Sequence, residues 1–247
     1  MNQYKADLHT HTVLSPCGDL EMSPANIVKI AKEKGLDILG ITDHNSTKNC
    51  KVLEEMAKNH DLMILKGAEV TSKEEVHCLA FFEKDDELFD FQNYLDEHLP
   101  KIENDVNKFG YQVVVDQEEN ITEQINWLLI SALDVSINQI EKKVHELNGI
   151  FIPAHIDRAR YSVLSQLGFV PSDLNFDALE LSKFVTKTEF IKQNNYLADY
   201  SFIQSSDAHY LKDIGTITTC FQMMDNSFGE VALALKSKNG RKVTLHE

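Results

Sequence analysis

The feature that most constrains this chain is a series of short apolar runs rich in β-branched residues, most of them bordered by histidine or a carboxylate. They lie at 36–42 (LDILGIT), 62–70 (LMILKGAEV), 76–82 (VHCLAFF), 150–154 (IFIPA), 178–181 (ALEL) and 202–205 (FIQS). Runs without polar alternation read as strands buried on both faces, as in a parallel sheet. Helical patterns lie between them. Ser23 as N-cap, Pro24 at the first helical position and Gly35 past the end frame a helix to Lys34. The segments 50–59 and 227–238 predict two more. Strand and helix in alternation imply either a βα barrel or an open parallel sheet. With 247 residues, 43% of them hydrophobic, the chain can fill one such domain over 1–247. The acidic stretch 83–148 breaks the rhythm and is read as a mostly helical insertion, with helix expected over ITEQINWLLISAL among its segments.

The polar residues fall at strand ends. His9 and His11 close the first strand, Asp43 and His44 follow LDILGIT, Glu69 lies near the end of LMILKGAEV, His155 follows IFIPA, and Asp207 and His209 follow FIQS. His77 is the exception, entering VHCLAFF near its start. In βα barrels the C-terminal rim gathers catalytic residues. Residues two apart on a strand share a face, so His9 with His11, and Asp207 with His209, converge in pairs. A lone histidine at a strand end is more often a satisfied polar residue than a ligand; two convergent pairs reverse that reading. His60, His98, His145 and His246 lie in polar or helical contexts. Imidazole mixed with carboxylate, without clustered thiolates, suits Zn²⁺, Mn²⁺ and Fe²⁺ alike. More than six candidate ligands call for at least two ions, and the chemistry such a centre supplies is hydrolysis.

Seven stretches, DLHTH (7–11), GDLEMSP (18–24), ITDHN (41–45), GAEV (67–70), VHCL (76–79), PAH (153–155) and SSDAH (205–209), resemble, in order, those of the polymerase and histidinol phosphatase (PHP) superfamily of metal-dependent phosphoesterases. HxH alone also opens the amidohydrolases; the ordered set is far more specific. The resemblance implies an α/β fold, a distorted seven-stranded (β/α) barrel of TIM-like type, with two or three divalent metal ions (Mn, Fe or Zn) at its rim. Carried over by motif, His9, His11, Glu69 and Asp207 would bind one ion. Glu69, His77 and His155 would bind a second, and Asp19, His44 and His209 a third. Glu69, Asp207, His209 and Arg158 are the residues expected to carry catalysis, with a metal-activated hydroxide as nucleophile. The segment from His11 to Asp19 is longer by three residues than the family pattern, so Asp19 is anchored through Met22-Ser23-Pro24. After His155 the chain reads Ile156-Asp157-Arg158-Ala159-Arg160 where the family often has Pro and then Arg. Arg158 is expected to grip a phosphate, since guanidinium offers planar bidentate donors. Asn45 and Lys183 are further expected substrate contacts.

The net charge of −15 argues against phosphate-rich polymers, because nucleic-acid binding rests on Lys and Arg neutralising phosphates. The expected partner is therefore a small phosphorylated metabolite or nucleotide, with no long nucleic acid and no membrane. The four cysteines are scattered without a CxxC pair, and no leader or spanning segment is evident, so a soluble cytoplasmic protein with reduced thiols is expected. The competing readings are an amidohydrolase-type deaminase or amidase, a polymerase-type PHP exonuclease and a non-catalytic metal-binding scaffold.

Overall fold

The structure is a computed structural model that describes residues 1–245; His246 lies outside the described residues. The first half contains β1 (Asn2–Thr10), α1 (Pro24–Glu33), β2 (Ile38–Ile41), α2 (Cys50–Ala57), β3 (Met63–Thr71) and β4 (His77–Phe82). Next come α3 (Asp85–His98), α4 (Val106–Phe109), β5 (Val113–Val115), β6 (Ile121–Gln124) and α5 (Ile137–Glu146). The remainder is β7 (Ile150–Pro153), α6 (Val163–Leu167), β8 (Leu179–Leu181), α7 (Lys187–Gln193), β9 (Phe202–Gln204), β10 (Thr219–Met223), α8 (Phe228–Leu235) and β11 (Lys242–Leu245).

Six apolar runs expected as strands are β2, β3, β4, β7, β8 and β9, and the framed helix at 24–34 is α1. Pro24 takes the first helical turn and Gly35, at φ +64°, the left-handed exit, a conformation that costs glycine no steric penalty. The expected helix over ITEQINWLLISAL is not helical. Its first four residues form β6, paired antiparallel with β5, and the rest is irregular. Between β4 and β7 the chain thus holds helices α3, α4 and α5 around a small hairpin.

One sheet runs in the order β11-β10-β1-β2-β3-β4-β7, and β8 pairs in parallel with β9. Backbone bonds from Asp177 N to Phe151 O (2.9 Å) and from Ile156 N to Glu180 O (2.8 Å) tie β7 to the β8 region. A parallel bridge between Thr10 and Ala208 ties the end of β9 to β1. Strands β1, β2, β3, β4, β7, β8 and β9 therefore close into a distorted barrel. The distortion is β4, which runs antiparallel to both β3 and β7.

Alternate residues of these strands, among them Leu8, Ile38, Leu65, Phe81, Ile152 and Ile203, form one apolar cluster with α8. A larger cluster packs the opposite faces against the outer helices. Period-two alternation with both sides apolar explains why the strands read as continuous hydrophobic runs.

Candidate metal centre

The parity that buries Leu65 continues along β3 through Gly67 to Glu69, so Glu69 crowns the apolar interior. On β4 the same parity runs back from Phe81 and Leu79 to His77. Because β4 is antiparallel, its first residue lies at the rim where the parallel strands end: His77 is the register partner of Thr71. That resolves the apparent exception in the sequence.

His9 reaches the rim by a different device. β1 gains one residue relative to β2 between Asp7 and Thr10, a bulge that re-aims the strand. The inner-face parity passes from Ala6 and Leu8 to His9 and His11. The bulge presses against Gly40, where a Cβ would lie 2.3 Å from the Leu8 carbonyl oxygen.

Glu69 is buried and faces five imidazoles. Its Oε1 is 2.7 Å from His77 Nδ1, 3.1 Å from His155 Nε2 and 3.3 Å from His9 Nε2; its Oε2 is 3.1 Å from His44 Nδ1 and 3.5 Å from His11 Nε2. Asp207 Oδ1 stands 3.5 Å from both His9 Nε2 and His11 Nε2. Three sets of potential ligand atoms lie within 4.8 Å of one another: His9 with His11 and Glu69; His44 with Glu69 and His77; His11 with His44 and His209. The rings of His11 and His209 stack with centroids 4.1 Å apart.

The fit to a metal can be tested on the nitrogens themselves. His9 Nε2, His11 Nε2 and His44 Nδ1 are buried with no hydrogen-bond partner. Buried polar atoms ordinarily find one. Three orphaned imidazole nitrogens, all aimed at carboxylates that cannot donate, are the donor set a divalent cation takes.

The electrostatics agree. Burial favours a neutral Glu69, but the neighbouring imidazoles, His77 and His9 foremost, hold its carboxyl well below the usual range. Asp207 is likewise held low against burial, chiefly by His9. Burial opposes charge on His9, yet Glu180, Glu69 and Asp207 raise its pKa well above the ordinary value; the pocket demands positive charge. Burial, then His209, lowers His11 to about 4, and burial lowers His44 well below its usual value. Both rings are neutral at pH 7, the form that ligates metal.

Glu180 was not anticipated. It sits on β8 with both oxygens on His9 Nδ1, at 3.0 and 3.2 Å, and accepts the His155 amide at 3.0 Å. A His–carboxylate pair of this kind fixes the ring tautomer and aims Nε2 inward. Its trace in the sequence is a lone carboxylate inside the apolar run ALEL. Asp43, one of the strand-end carboxylates of the sequence, supports His11 through Ser15: it accepts from Thr12 N, Thr12 Oγ1 and Ser15 Oγ, and Ser15 Oγ lies 2.9 Å from His11 Nδ1. Asp7 accepts from Ser206 N, Ser206 Oγ and Gly215 N, joining β1 to the segment that carries Asp207.

The remaining expected residues divide. Arg158 is at the centre: its Nη1 donates to Asp207 Oδ2 at 2.7 Å, while Asp157 accepts from Ser182. Asp19 donates its amide to the His209 carbonyl, but its Oδ1 accepts from Glu21 N, and it belongs to none of the three ligand sets. Asn45 spends its amide N–H groups on Leu129 O and Ser131 O and accepts from Thr71 N; no free donor is left for a substrate. Lys183 is exposed at the edge of a pocket lined by His155, Arg158, Glu180 and Asp207. Asn45, His155 and Asp207 all adopt left-handed backbone, at φ 45°, 30° and 52°. Asn and Asp visit that region readily, whereas for His155 it costs about 1–2 kcal/mol, and such strain collects where function dictates geometry.

The PHP domain family matches residues 7–161. The protein YqxK of Bacillus subtilis is 27% identical over an alignment covering 98% of this chain and 64% of YqxK. Among solved structures, the lesion-specific endonuclease Q of Pyrococcus furiosus superposes with a TM-score of 0.71 at 20% identity, over 98% of this chain and 58% of that one. A protein from Bifidobacterium adolescentis assigned as a metal-dependent phosphoesterase gives 0.57 at 20% identity, over 83% and 87% of the two chains. The chain thus spans less than two thirds of YqxK and of endonuclease Q. Endonuclease Q has also been solved with a 27-mer duplex carrying an abasic lesion at its active site, at a TM-score of 0.70 and 19% identity. That finding overturns the expectation of a small phosphorylated partner and no long nucleic acid. Net charge is a whole-molecule sum, whereas phosphate recognition depends on the local field, which metal ions and a few arginines can invert. No described helix is long and apolar enough to cross a membrane.

Proposed function

Because the chain belongs to the PHP domain family, we propose that it hydrolyses phosphodiester bonds of nucleic acid at a centre of two or three divalent metal ions. The observation that carries this reading is Glu69 facing five imidazoles, with the buried nitrogens of His9, His11 and His44 lacking any partner. His9, His11, Glu69 and Asp207 would hold one ion, Glu69, His77 and His155 a second, and His44 with His209 a third. Asp19, whose Oδ1 accepts from Glu21 N, would join the third through Oδ2. Manganese, iron and zinc all suit these donors.

Bound there, such ions would supply Lewis-acid polarisation of a phosphoryl oxygen and a water of lowered pKa. The chain's own groups hold and orient. Glu180 sets the tautomer of His9. Asp207 anchors one arm of Arg158, whose other guanidinium donors are free for a non-bridging phosphate oxygen. His209, with Nδ1 3.0 Å from the Asp207 carbonyl oxygen, keeps Nε2 for the centre. A barrel of this topology that receives duplex DNA in endonuclease Q supports a polymeric substrate for this chain.

The experiment is a cleavage screen with Mn²⁺ on single strands, duplexes, abasic duplexes and bis(p-nitrophenyl) phosphate, with an aryl amide alongside. Diester cleavage lost in Asp207→Ala, with the circular dichroism spectrum unchanged, is the expected result. Cleavage of no phosphodiester would sink the reading, and turnover confined to the amide would move it to amidohydrolase chemistry.

A further inference from the structure

Beside the metal-facing pocket lies a groove of about 570 Å³, walled by Arg158, Arg160, Tyr161 and Phe184. The two cavities share Arg158, Ser182 and Phe184, so the groove leads outward from the centre. Its volume falls within the roughly 300–1,000 Å³ of ligand sites.

Two aromatic rings stand in it. Phe184 is 74% exposed, more than any other large apolar side chain of the described residues. Tyr161 is 45% exposed, and its ring stacks on His77 with centroids 4.7 Å apart and planes 16° apart. Its backbone is left-handed at φ 57°, while its carbonyl accepts the His77 amide at 2.9 Å. An aromatic residue held in that conformation is strained, and here its ring lies on a candidate ligand while the residue stays nearly half exposed.

Cations flank the rings. Arg160 is exposed with no carboxylate within ion-pair distance among the described residues, and Lys183 Nζ lies 5.8 Å over the Phe184 ring. Asp157, the one acid in the groove, has both carboxylate oxygens on Ser182. Exposed aromatic faces interleaved with unpaired cations match a strand whose bases are unpaired: phosphates meet the cations and bases stack on the rings. A duplex, with its bases already stacked, offers the rings nothing.

We propose that this groove holds a single-stranded stretch of the nucleic acid next to the reacting phosphate, with Phe184 and Tyr161 as base-stacking platforms and Arg160 and Lys183 as backbone contacts. The inference rests on the nucleic-acid reading of the metal centre.

Anisotropy titration of a dye-labelled oligothymidylate, in chelator so that no strand is cut, tests it. Phe184→Ala should bind about 5- to 150-fold more weakly than the native protein, the range for loss of one stacked base, and Phe184→Trp should restore binding. Phe184 is too exposed for its removal to threaten the fold. A strand of abasic sites should bind the native protein and Phe184→Ala alike. Equal oligothymidylate binding by native protein and Phe184→Ala would overturn the inference, as would native protein that binds the abasic strand as tightly as oligothymidylate. The cleavage screen, set beside the binding titration, separates the two readings. If Mn²⁺-dependent oligonucleotide cleavage is present but Phe184→Ala binds oligothymidylate as the native protein does, the groove inference fails alone. If no phosphodiester of the screen is cleaved while Phe184→Ala still weakens binding, the hydrolase reading fails and the groove remains a single-strand binding site.

Discussion

Glu180 belongs to none of the three ligand sets, yet through its contact with His9 Nδ1 it decides which nitrogen of that ring faces inward. Replacing it with Ala frees the ring to take the other tautomer. Metal affinity should fall by about 10- to 100-fold, the usual cost of losing such a support, as read by competition with a chromogenic chelator. Unchanged affinity would show that His9 is oriented by packing alone. A second residue-scale prediction concerns pH. His11 titrates near 4 in the fold and near 6.5 unfolded, and His44 is shifted the same way. Between those values the unfolded chain takes up protons that the fold refuses, so their contribution is complete above pH 6.5 and is lost as pH falls toward 4. Asp7, raised to about 6 mainly by burial, works oppositely: its contribution is complete below pH 3.8 and lost as pH rises through 6. Asp43 is raised by burial in the same way, but Glu69 and Asp207, held well below their usual values, lose their contribution on the acid side along with the two histidines, so the melting temperature of the metal-free protein should drop as the pH falls below 6.5; a flat profile would contradict the shifts. At this scale the histidines were legible because strand-end placement is visible in a linear string. Glu180 was not, because an inward-facing carboxylate within an apolar run looks like any other until its partner, 171 residues away, is known.

Among the elements, the bulged β1 and its neighbour β2 set the geometry of the first two ligands. The sequence around Gly40 leaves no space for a side chain against the backbone of Leu8. Gly40→Ala should therefore destabilise the fold by about 1–3 kcal/mol, the usual penalty of overpacking, and weaken metal binding by displacing His9. Urea unfolding checks the first effect and metal titration the second; a loss of neither would mean that the bulge relaxes freely. Six strands and the framed α1 were readable from apolar runs and cap residues. The direction of β4 was not, since periodicity gives which face a residue takes and says nothing of which way the strand runs. His77 looked misplaced for that reason alone. The β5–β6 hairpin was missed because ITEQ and the residues after it carry apolar side chains at spacings that also suit a helix, and the pairing with Val113–Val115 that decides the matter is tertiary.

Over the whole molecule, a charge of −15 and a fold shared with a lesion-specific endonuclease are compatible, because charges farther apart than about 8–10 Å are largely screened while the exposed Arg160 and Lys183 act at the groove itself. The barrel's closure has a consequence of its own. β9 meets β1 through a short seam, His11 N to Ala208 O at 3.0 Å and Ala208 N to His9 O at 3.1 Å. The candidate ligands His9 and His11 stand on one side of it, Asp207 and His209 on the other. An ion held across that line would act as a staple between segments some 200 residues apart in the chain, resisting local opening as well as serving chemistry. The amides of His11 and Ala208 should then exchange with deuterium markedly more slowly once Mn²⁺ is added, while amides of the α3 surface keep their rates. Equal rates with and without metal would mean that the barrel holds shut unaided.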